Sequence, residues 1–269
     1  MAKLTDVRIV SARATTDQIP YRTPIKFGGR VVTDALLLNV TVDVETRDGR
    51  QGQGLGSMPL GNAWAWPSDT TADQSTLECM LALGQQLVGA ADDCSLTAHP
   101  LELTQELSAD YQSTADSVVN RAGLPEPMPR LAQLVAASPL EAAIHDAYGH
   151  ALGQNAYNLL GAEFVSADLA HYLTPDFAGE YLDRYTLREP KSRMPLYHLV
   201  GALDPLTDAD VTTPVGDGLP ETLAQWIAAD GLTHMKIKLA GDNLPWDVDR
   251  VVAVESVAAG AQQARGCAT

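Results

Sequence analysis

The sequence predicts an α+β chain in two parts, an antiparallel meander with helices and then the strand-helix alternation of a parallel α/β sheet or barrel. Three observations predict it. The N-terminal stretch alternates apolar and polar residues around a turn at Asp48-Gly49. Helical spacing takes over from Thr71. From Met194 onward, short apolar runs alternate with amphipathic ones, the period changing from 2 to 3.6 each time.

In chain order, "LTDVRIVSARATT" reads as a first strand, Leu36 to Glu45 as a second, and Arg50 onward as a returning third. Between the first two lies "IPYRTPIKFGGR", expected as a Pro/Gly-punctuated loop, and after the third comes the aromatic loop "GSMPLGNAWAWPS". Helices are expected from Thr71 to Gly89 and from Pro100 to Tyr111, with a break at "AGLPEPMPR". The strongest helix is expected to open at Ser138 as N-cap, with Pro139 at its first position and Glu141 completing a capping box. After an irregular stretch from Ala167 to Arg193, "MPLYHLVGAL" is a strand and "LPETLAQWIAADGL" a helix closed by Gly231. "HMKIKLAG" is another strand, and a last helix opens with Pro245.

At 269 residues and 45% hydrophobic content the chain can bury one large core or two ordinary ones. No apolar run is long enough for a membrane span and no leader-like apolar segment opens the chain, so a cytoplasmic protein is expected. Its formal charge of -16 disfavours nucleic acid and anionic membranes as partners, since phosphates are repelled. The sequence leaves a homo-oligomer open. Cys79, Cys94 and Cys267 lack metal-type spacing and are expected as reduced, structural thiols.

Only five lysines occur, and two of them, Lys236 and Lys238, sit one residue apart in an apolar strand. Strand alternation puts His234, Lys236 and Lys238 on one face and Met235, Ile237 and Leu239 on the other. Mutual repulsion and partial desolvation lower the pKa of such a pair towards the range of a general base. The competing reading is a solvated edge strand whose lysines oppose aggregation. A Schiff-base lysine is a further alternative, testable by borohydride trapping. "GQGLG" lacks the spacing of a dinucleotide loop, and His145 and His150 lack that of a zinc protease, so packing roles are expected there. His198 could face the mouth of a barrel, but a buried, hydrogen-bonded core histidine is the expectation.

This order of elements resembles the enolase superfamily, in its mandelate racemase and muconate-lactonizing branch. The resemblance rests on the loops "YRTPIKFGGR" and "GQGLGSMPLGNAWAW", the helix "AAIHDAYGHALGQNAYNLLG", the strand "LYHLVG" and the "KIK" that follows. It implies a capping domain over residues 1–135, then a linking helix and the first two βα units of a (β/α)8 TIM-type barrel over 136–269. The implied chemistry is removal of the proton α to a carboxylate, in a racemase or epimerase, an acid-sugar dehydratase or a cycloisomerase. Mg²⁺ stabilisation of the enediolate belongs to the same pattern. By position, Lys238 would be the base and Lys236 would depress its pKa and contact the carboxylate. Tyr21, Arg22, Lys26 and Trp64 would contact a small carboxylate substrate from the capping loops. Each of these four also admits an ordinary surface or packing role.

The resemblance places metal ligands on the third to fifth barrel strands, and a full barrel takes about 250 residues. The barrel is therefore expected to be incomplete in this chain, the chain to be a fragment, and the fragment alone to be poorly folded and inactive. The alternative is a non-catalytic remnant or binding module that keeps the capping domain.

Overall fold

The computed structural model describes residues 2–27 and 30–266, so Cys267 lies outside the described residues. The chain divides into two units, the first Met1–Ile19 with Ala35–Pro190 and the second Pro20–Asp34 with Lys191–Thr269. The boundary expected between 135 and 136 instead falls inside a continuous helix, Arg130–Leu152, of the first unit.

In the first unit, strands β1 (Val7–Phe27), β2 (Arg30–Thr46), β3 (Gln51–Pro59) and β4 (Thr97–Ala98) form a sheet of order β3-β2-β1-β4. β2 and β3 pair antiparallel from Leu37↔Pro59 to Glu45↔Gln51. Gly49, at φ 88°, makes the turn between them where a side chain would be strained. Leu38, Val40, Val42 and Val44 repeat with period 2 and are at most 1% exposed, each burial contributing roughly 1.5–3 kcal/mol. The opposite face is polar, with Ser11, Arg13 and Gln53 all bonded to Asp43.

The far ends of β1 and β2 group with the second unit. This corrects the expected loop: β1 continues as strand to Phe27. Tyr21, Thr23, Ile25 and Phe27 alternate with Arg22, Pro24 and Lys26, a strand period that the two prolines obscure.

The helices of this unit are α1 (Asn62–Ala65), α2 (Asp73–Asp92), α3 (Pro100–Ser108), α4 (Tyr111–Ala122), α5 (Arg130–Leu152) and α6 (Leu169–Tyr172). α5 rests directly on β3. A Cβ built at Gly52, Gly54 or Gly56 would lie 2.3, 2.1 or 1.9 Å from backbone atoms of Ala147 or Pro139. That close approach accounts for "GQGLG", because only glycine leaves room for the helix backbone. Asp146 accepts from the Leu55 amide at 2.9 Å and His150 Nδ1 donates to the Gln53 carbonyl at 2.7 Å. His150 therefore has the packing role its spacing suggested.

α5 starts at Arg130, so Ser138 is no N-cap and Pro139 lies in the helix interior. The proline has no N–H for the Val135 carbonyl; the Ser138 hydroxyl donates to that carbonyl at 3.0 Å and satisfies it. His99 is fully buried and caps α3. Its Nδ1 accepts from Leu101 N at 3.1 Å, so its Nε2–H donates to Leu159 O at 2.9 Å. Burial lowers its pKa to about 3, and that of the adjacent His145 to about 4, so both are neutral. Cys79 is buried and Cys94 half-buried, both free thiols.

In the second unit, β5 (Tyr197–Val200) and β6 (His234–Ile237) pair in parallel, with Tyr197 opposite His234 and Val200 opposite Ile237. Helix α7 (Leu223–Asp230) is capped by Thr222, whose hydroxyl accepts from Gln225 N, and ends at Gly231, φ 65°. Helix α8 (Leu244–Ala264) starts at Asn243, whose side chain accepts from Trp246 N at 3.1 Å. Val200, Leu206, Leu223, Ile227 and Val254 form its small core, with Met235 and Ile237 packed against it. α8 leaves Val248, Val251 and Val252 exposed. No helix among the described residues is long and apolar enough to cross a membrane.

Candidate active site

The two lysines lie where alternation predicts. Met235 and Ile237 turn to the core beneath the helices, while Lys236 and Lys238 project from the other side. Lys238 follows β6 directly and extends its pairing, its N–H donating to Val200 O at 2.8 Å. Leu239, expected on the packed face, is 43% exposed because the strand has ended before it.

The environments of the lysines differ. Lys236 is exposed, with Nζ 5.3 Å from the Tyr197 ring centre. Lys238 is partly buried, and its Nζ stands 3.1 Å over the Phe27 ring. Burial pushes the Lys238 pKa down and the charge of Lys236 adds to this. The aromatic face attracts the ammonium and opposes the shift. Of the two lowering causes desolvation is the larger, and both favour the neutral amine.

Arg22 and Lys26, on the far end of β1, carry charges that are already engaged. Arg22 forms a two-pronged pair with Asp217, at 2.6 and 2.9 Å, and Lys26 meets Asp242 at 2.9 Å. Arg22 holds the Asp217 carboxyl down to about 2. Tyr21 is half-buried on the same stretch of β1. Trp64 belongs to the first unit, where its ring covers Gly61 and it is 39% exposed. His198 shares the core side of β5 with Val200, its ring 5.5 Å from that of Trp226.

Sequence reasoning missed two residues on α8. Asp247, 8% exposed, accepts from the amides of Ala240 and Gly241 at 2.9 and 3.1 Å. Arg250 Nη2 donates to the carbonyls of Gly201 and Asp204 at 2.6 and 2.7 Å. Their spacing of three places both on one helix face, and an acidic residue in the first helical turn is the only signal the sequence offers. Beside these strand ends, Lys26, Leu203, Asp242, Asn243 and Trp246 line a cavity of about 310 Å³. A larger cavity, about 690 Å³, lies in the first unit beside His145, Asp146 and His150, of which the last two serve to hold β3.

Among the described residues no group of three or more His, Cys, Asp or Glu is placed to hold a metal ion. The residues present do not fit the magnesium that the resemblance implies, and no chemical step is assigned to it.

No family model and no curated protein matches the chain. Solved structures do. A substrate-liganded L-Ala-D/L-Glu epimerase from Bacillus subtilis aligns with TM-score 0.50 and 15% identity, over 93% of this chain and 50% of that one. An enolase from Pseudomonas fluorescens with bound magnesium, potassium and tartrate aligns at 0.49 and 16%, over 95% and 51%. A mandelate racemase/muconate lactonizing protein from Herpetosiphon aurantiacus aligns at 0.42 and 18%, over 96% and 51%. The chain spans about half the length of these structures. Over that half it shares the fold of the Bacillus subtilis epimerase.

Proposed function

We propose that this chain carries the proton-abstracting lysine of an enolase-superfamily enzyme acting α to a carboxylate. The observation that supports it is the position of Lys238. It sits just past the end of a parallel strand, partly buried, with a second ammonium beside it that favours its neutral form. In this reading the Lys238 lone pair takes the α-proton, and the C–H electron pair moves into the substrate carboxylate as an enediolate. The Lys236 ammonium offsets the charge that builds there. Racemisation or epimerisation follows if the proton returns on the opposite face, and dehydration or cycloisomerisation if a β-substituent departs. Capping and barrel portions divide the chain in the proposed enzyme, with Tyr21, Arg22, Lys26 and Trp64 in the substrate-facing role. Arg22 and Lys26 would first have to release Asp217 and Asp242.

The test is α-proton exchange in deuterium oxide, followed by NMR, over a panel of small carboxylates that includes mandelate, tartrate and dipeptides. Exchange that disappears in Lys238→Ala and falls in Lys236→Met supports the reading. Exchange undiminished in Lys238→Ala removes Lys238 as the base. No exchange with any carboxylate, in the whole protein with Mg²⁺ supplied, favours a non-catalytic binding module.

A further inference from the structure

The ends of β5 and β6 are held from one place, the first two turns of α8. On the β6 side, the Asp247 carboxylate takes both backbone amides of Ala240 and Gly241, two and three residues after Lys238. On the β5 side, Arg250 takes the carbonyls of Gly201 and Asp204, directly after the Val200 carbonyl that receives the Lys238 amide. Asp204 closes the same loop by accepting from Gly201 N at 2.7 Å. β6 itself contributes only four residues, and the Lys238 N–H to Val200 O bond follows directly at its end. We propose that Asp247 and Arg250 are positioning residues that fix the Lys238 ammonium against Phe27 and beside Lys236.

The proposal rests on the reading of Lys238 as the base only for its functional meaning. Its geometry is independent of that. A carboxylate accepting two backbone amides and a guanidinium donating to two carbonyls are charge-assisted contacts with fixed directions. Removing either frees the loop on one side of Lys238. The lysine then moves out to water, away from the ring and from its partner charge.

The test uses the full chain and reads lysine reactivity rather than turnover. The five lysines are pulse-acetylated across a pH series and each site is read by mass spectrometry, with circular dichroism confirming the fold. In Asp247→Ala and Arg250→Ala, the pH midpoint of Lys238 modification is expected to rise, while that of Lys3 in the first unit stays in place. Asp247→Asn keeps one acceptor and is expected to fall between. A merely structural pair would lower the melting temperature and leave the Lys238 midpoint unmoved in the molecules that remain folded. That result, or loss of the fold in all three variants, overturns the proposal. An unmoved midpoint with exchange abolished in Lys238→Ala removes only the positioning role. A moved midpoint with exchange retained in Lys238→Ala removes only the catalytic reading.

Discussion

The two units differ in the cationic side chains they place together. In the first, a buried histidine is held neutral and surface side chains are spent on backbone groups: His99 caps a helix, and Asp146 and the exposed His150 secure β3. In the second, Asp247 and Arg250 are spent on backbone groups as well, but two lysines share a strand face, and ion pairs to Asp217 and Asp242 hold Arg22 and Lys26. The first unit has a large continuous core and the second a small one. The contrast teaches where to look for chemistry, since groups already satisfied by backbone contacts have no free valence for a substrate.

The largest expected effect breaks the first unit alone. Gly54→Val would force a side chain into the α5 backbone, where even a Cβ lies 2.1 Å from Ala147 N. A loss of more than about 3 kcal/mol is expected in denaturant unfolding, with the Lys238 reactivity retained. Its counterpart in the second unit is Ile227→Ala. This side chain is fully buried in the small core, and its truncation is expected to cost about 2–4 kcal/mol and to raise Lys238 reactivity at the same time.

Acid sharpens the comparison further. His99 has its pKa lowered to about 3 and His145 to about 4, below the unfolded value near 6.5. Between those values the unfolded chain binds protons that the folded unit refuses, so stability is intact above about pH 6.5 and declines as pH falls towards 3. Each histidine contributes a slope of at most about 1.4 kcal/mol per pH unit, and His99→Gln is expected to flatten the decline. Chemical denaturation across that range reads the slope directly. The smallest effect belongs to Asp217→Asn, which frees Arg22 from an exposed pair. Little change in melting temperature is expected, and that change should vanish in high salt.

The elements with uninterrupted periodicity were legible in the sequence. β2, β6 and the Gly231-closed α7 follow from alternation and capping chemistry that tertiary contacts do not overrule. Pro139 misled because a proline favours a first turn, and only packing on Gly56 and the compensating Ser138 hydroxyl make an interior proline tolerable. The pairing of "GQGLG" with α5 was not legible either, since a glycine stripe is silent about which backbone it admits. In the candidate site, Lys236 and Lys238 announced themselves by strand phase. Asp247 and Arg250 did not, because their partners are main-chain groups, which carry no side-chain signature.

The most direct measurement is the titration of Lys238 by NMR of methyl-labelled lysines, in the native protein and in Lys236→Met. The Lys238 midpoint is expected below the ordinary lysine value of about 10.4 and rises when the Lys236 charge is removed. A Lys238 resonance that titrates with ordinary lysines, and does not respond to Lys236→Met, would contradict it.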